Sequence, residues 1–69
     1  NKVMGLIQVC YVLDEKNKER EINGLIEAME KFKLKHGLIL TMEQEDQIVI
    51  NDKKILIKPI FIWILENSY

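Results

Sequence analysis

Polar and apolar positions fall into blocks along the 69-residue chain, and each block has its own period. Residues 3–13 read VMGLIQVCYVL, nearly all apolar and rich in β-branched and aromatic types, with Gln8 the one clearly polar side chain. A run of this kind predicts a strand covered on both faces, at the centre of a parallel sheet. Residues 14–17 form a polar connection, and Asn17 suits a helix N-cap. Glu19 and Glu21 follow where a helix dipole favours acids. Ile22, Leu25, Ile26, Met29 and Phe32 then recur at spacings of three and four, which gives one helical face. Glu27 and Lys31 form an i,i+4 pair on the opposite face. Lys33, Lys35 and His36 suit a helix C-terminus, and Gly37 suits a left-handed stop. The predicted helix runs over 17–35.

The rest of the chain is shorter in period. Residues 38–41 predict a strand, and strand–helix–strand with short links predicts a parallel βαβ crossover. Residues 42–46 are an acidic loop. Residues 47–50 and 54–58 predict two strands joined by the Asn51-Asp52 turn, which tolerates positive φ. Pro59 ends the last strand and suits the first turn of a terminal helix over 60–66. That helix is apolar nearly all round, which predicts burial or docking. The predicted class is α/β in the order β-α-β-β-β-α, a mixed sheet with a C-terminal hairpin.

Composition narrows the function classes. With one cysteine, Cys10, and one histidine, His36, neither an internal disulfide nor a structural zinc site is expected. A domain of this size is marginal by itself and calls for a partner or for more polypeptide. Ten basic against eleven acidic residues give a net charge of -1, unlike a domain that holds nucleic acid by bulk charge. The longest apolar run, Ile60 to Leu65, has six residues, against the roughly 20 that a membrane helix needs. No secretory signal is expected from the opening residues, and a lone reduced cysteine suits the cytoplasm. The expectation is one domain over 1–69, cut from or belonging to a longer chain.

Four segments in order now carry a resemblance: LIQVCY at Leu6 to Tyr11, EREINGLIEAM at Glu19 to Met29, GLILT at Gly37 to Thr41, and KKILIKPIFIWIL at Lys53 to Leu65. Together the series resembles the C-terminal module of bacterial and archaeal AAA-type (DEXX-box) ATPases, over nearly the whole chain. Asn51-Asp52 departs from that family's usual Asp-Gly, and Phe61 stands where a Trp is common. The resemblance implies a restriction-endonuclease-like fold of the PD-(D/E)xK superfamily. It also implies an ATPase portion upstream as partner, where ATP and Mg would bind. This chain has no Gly-rich phosphate loop.

In that superfamily a strand carries Glu-x-Lys, and a preceding strand supplies an Asp. Both carboxylates hold a divalent cation, which neutralises charge in phosphodiester cleavage. Here Gln8 and Cys10 stand in the Glu and Lys positions, on one side of the strand. The amide lacks the charge and the thiol is no cation, so the implied module is a degenerate nuclease, not an enzyme by itself. Its role is then binding or structural, with DNA as one possible partner. The competing readings are a metal-dependent nuclease completed by upstream residues, and an oligomerisation module.

The remaining candidates each carry a plain reading beside the functional one. Cys10 as a nucleophile needs a nearby base, and His36 lies at the far end of the helix. Lys16, Lys18 and Arg20 cluster at the helix start and suit phosphate contacts, but they alternate with Glu15, Glu19 and Glu21, as a solvated face does. Glu43, Glu45 and Asp46 lack calcium-loop spacing. Phe61 and Trp63 suit either core or an interface, including a homodimer of the chain.

Overall fold

The structure, a computed structural model, describes residues 5–68. Val3 and Met4, the first residues of the expected opening strand, lie outside the described residues. The elements in chain order are β1 (Leu6–Val9), α1 (Lys18–Lys31), β2 (His36–Thr41), β3 (Asp46–Ile50), β4 (Lys53–Pro59) and α2 (Ile60–Glu66). One four-stranded sheet has the order β1-β2-β4-β3. β1 is parallel to β2 and β2 to β4, while β3 and β4 form an antiparallel hairpin. The chain is therefore α/β, with a mixed sheet and two helices.

The opening strand is shorter and less central than its composition predicts. β1 is an edge strand whose exposure alternates along its length. Pairing with β2 continues past its end: Cys10 N–H donates to the Leu40 carbonyl (2.9 Å) and Met42 N–H to that of Tyr11 (3.1 Å). Leu6, Gln8 and Cys10 face α1, while Ile7 and Val9 on the other face stay exposed. The both-face coverage expected of an apolar run belongs instead to the central strand β2.

α1 starts where predicted but is capped differently. Asn17 holds the N-cap position without a side-chain cap bond. Its Nδ2 donates to the Val12 carbonyl (2.8 Å), and its Oδ1 accepts the Asp14 N–H (2.9 Å). Asp14 organises the turn, its Oδ1 accepting the N–H groups of Lys16 (2.9 Å) and Asn17 (3.1 Å).

The far end corrects the sequence reading more sharply. The helix stops at Lys31, with Phe32 as C-cap and exposed to solvent, not on the buried face. The left-handed residue is Lys33, at φ 56°, and among the described residues no glycine has positive φ. Leu34 N–H donates to the Met29 carbonyl (2.7 Å) and Lys33 N–H to that of Glu30 (3.2 Å). This is a Schellman closure, and Leu34 packs against the core that contains Met29. His36 then opens β2 instead of capping the helix. A non-glycine residue in this conformation is strained by about 1–2 kcal/mol. Lys33→Gly should therefore stabilise the fold by about 0.5–1 kcal/mol, after glycine's greater unfolded-state entropy. Thermal unfolding followed by circular dichroism should show the midpoint rise by about 2–8 °C; no rise would mean that Lys33 is not strained.

Gly37 serves a different purpose from the stop the sequence suggests. A Cβ there would lie 2.9 Å from Met29 Sδ and 3.0 Å from Leu25 Cδ2. Its bare backbone lets α1 sit close on β2. The core on that side joins Ile22, Leu25 and Met29 of α1 to Ile39, Ile55 and Ile57 of the sheet, with Leu13 at its rim.

β4 lies between β2 and β3, although it follows both in sequence. The link from β2 to β3 must therefore step across the end of β4, about 9.5 Å for two strand spacings. Gln44 anchors the crossing. Its Oε1 accepts the Leu13 N–H (2.7 Å) and its Nε2 donates to the Leu13 carbonyl (2.6 Å). Buried Thr41 accepts the Gln44 N–H at Oγ1 (3.0 Å) and donates to its carbonyl (3.2 Å). The acidic loop is thus anchored through Gln44, while Glu43, Glu45 and Asp46 stay exposed as expected. The chain leaving β4 at Pro59 turns to the opposite face, where α2 lies. None of α2's residues is buried, so its apolar surround rests on the sheet along one side only.

Candidate functional site

The period of two along β1, carried one residue past its end, places Gln8 and Cys10 side by side under the first turn of α1, both partly buried. Gln8 Nε2 donates to Glu21 Oε1. Glu21 also lies 3.6 Å from Arg20 Nη2, and its side chain is only 22% exposed. Glu21 escaped the sequence reading, which assigned it to the helix dipole. Its position was legible all the same, because Glu21, Leu25 and Met29 stand four residues apart and share a stripe.

Cys10 Sγ lies 3.3 Å from the Val12 carbonyl, to which its S–H donates, and Asn17 Nδ2 lies 3.9 Å from the sulfur. Partial burial and then the Glu21 charge push the thiol pKa up from its usual value. The sulfur therefore stays protonated at neutral pH, the wrong state for a nucleophile. His36 begins β2 while Cys10 pairs beside Leu40, four residues further along that strand. The separation along the strand is about 13 Å, so His36 does not serve as base to Cys10.

The donor set does not fit the divalent cation that a nuclease-like strand implies. Gln8 is neutral and committed to Glu21, the thiol is protonated, and the Glu21 carboxylate is already shared between an amide and a guanidinium. Hard cations of this kind are held by carboxylate oxygens with water and phosphate.

Lys16, Lys18 and Arg20 are exposed at the same end of the sheet as this pair, and Arg20 is drawn to Glu21. The Gln44 anchor brings the loop bearing Glu43 and Glu45 against Leu13, next to the turn that carries Lys16. Mixed charge at that end lowers its attraction for phosphate. Phe61 and Trp63 are not brought to this site. They belong to α2 on the opposite face, where Phe61 is exposed and Trp63 lines an open groove of about 410 Å³ with Ile7, Leu38 and Leu56. Neither is core. No helix among the described residues is long and apolar enough to cross a membrane.

No family model and no solved structure matches the chain. Among curated proteins it is similar to an uncharacterized protein of Methanocaldococcus jannaschii, at 42% identity over an alignment of 68 residues that covers 93% of this chain and 15% of the relative. The chain thus spans less than a fifth of the length of the curated relative it matches.

Proposed function

We propose that this chain is the C-terminal accessory module of an AAA-type ATPase, a nuclease-like domain that has lost its chemistry and serves binding or structure. The observation that carries the reading is the engagement of Gln8 by Glu21, beside a protonated Cys10 thiol. The nuclease strand it resembles would offer a metal-binding carboxylate and an activating lysine at these two positions. Here the first position bonds internally and the second holds no charge. ATP and Mg belong to the upstream ATPase portion, the module's partner in the cytoplasm. In this reading DNA is a further partner, met through Lys16 and Lys18.

The test is cleavage of plasmid and linear duplex DNA by the full-length protein with Mg²⁺ or Mn²⁺. No cleavage above background is expected, with or without ATP. Robust cleavage that disappears in Gln8→Ala would overturn the reading and favour a nuclease completed by upstream residues. Salt-dependent retention of duplex DNA, weakened by Lys16→Ala with Lys18→Ala, would assign the binding role to DNA.

A further inference from the structure

The sheet face opposite α1 is only half covered. α2 packs over β4 and β2 there and leaves β1, at the edge beyond β2, largely uncovered. Ile60 lines a small hollow with Val9 and Tyr11 at one end, and Trp63 lines the larger groove with Ile7 at the other. Between α2 and the open edge runs a trough floored by Ile7 and Val9. Beside the trough stands a ridge, the outward side of α2, with Phe61, Ile64 and Leu65. Together with Tyr11 these residues are 52–73% exposed. A strand in a largely parallel sheet normally has cover on both faces, and this stretch of β1 has it on one.

Ridge and trough match in size. α2 has seven residues, about 10 Å of helix, and β1 has four, about 13 Å of strand. They are also electrically compatible. The Lys58–Glu66 pair at the groove closes on itself at 2.6 Å, leaving the apolar surfaces without opposed like charges.

We propose that two copies of this chain pair face to face about a two-fold axis, the α2 ridge of each filling the trough over β1 of the other. One self-complementary patch used twice is the geometry of an isologous dimer. The six exposed side chains account for roughly 700 Å² per copy if a large side chain presents about 200 Å². That is close to the ~800 Å² per partner of a stable interface. The contact lies on the face away from Gln8 and Cys10, so it stands whether or not the proposed function does.

Light scattering after size exclusion, from micromolar to near-millimolar protein, reads the outcome. The expected mass is twice the 8.2 kDa of the chain. Val9→Asp alters the trough and Leu65→Lys the ridge, both at exposed positions that leave the α1 core untouched. Each variant alone should be monomeric, with an unchanged circular dichroism spectrum. Mixing the two should restore a one-to-one dimer, because one trough–ridge contact then carries opposite charges and the other is unaltered. A strict monomer throughout the range would overturn the proposal and leave the face to another part of a longer polypeptide. So would a dimer indifferent to both substitutions.

Discussion

Met29→Ala should remove about 2–5 kcal/mol of unfolding free energy, the range for emptying a fully enclosed long side chain. Met29 has no exposed surface, and it meets the fold at three points. Its side chain lies over Gly37, its carbonyl accepts the Leu34 N–H that closes the helix, and it is the last residue of the buried stripe of α1. The hydrogen bond survives truncation and the packing does not. A 69-residue domain holds only about 3–10 kcal/mol in all, so the variant sits close to the unfolding threshold. In urea the midpoint should fall with little change in slope. A loss under about 1 kcal/mol would mean that α1 is not seated on β2 as described.

Gly37→Val tests the same contact from the sheet side. Two effects oppose each other. Valine suits a strand better than glycine does, by up to about 1 kcal/mol. Its Cβ, however, would arrive 2.9 Å from Met29 Sδ, and 3.0 and 3.3 Å from Leu25 Cδ2 and Cγ. Forcing extra atoms into a packed core costs about 1–3 kcal/mol. The two methyl groups add to that crowding, so steric cost wins and the net loss is about 1–2 kcal/mol. The sharper readout is coupling. In a Met29→Ala background the sulfur is gone, and the same substitution should cost at least 0.5 kcal/mol less. Additive losses would place the clash elsewhere.

Periodicity made much of the fold legible. Ile22, Leu25 and Met29 announce the buried face of α1 by spacing, and Ile55 and Ile57 do the same for β4. Asn51, at φ 56°, sits where the short polar turn residue was expected. Other features turned on tertiary contact, which local pattern does not carry. A glycine after a basic helix end reads as a stop, yet here close approach claims Gly37 and leaves the left-handed position to Lys33. An apolar opening run reads as central, yet β1 is an edge. The helix stripe hinted at Glu21 as the partner of Gln8. Gln44 gave no local sign, because its two bonds span 31 residues to a backbone segment that only the crossing of β2 to β3 brings near.

That crossing bears on how the protein is made. Among the described strands β4, which lies between β2 and β3, is the last to be synthesised. When Ile50 has left the ribosome, β1, α1, β2 and β3 all exist, but β2 and β3 have no neighbour in common. At 5–20 residues per second, the wait for residues 53–59 is brief, yet through it the α1 face lacks Ile55 and Ile57. A nascent chain stalled within β4 has Leu13, Ile22, Leu25, Met29 and Ile39 but lacks Ile55 and Ile57 to pack them against, so cooperative closure of this core waits until residues 53–59 have emerged.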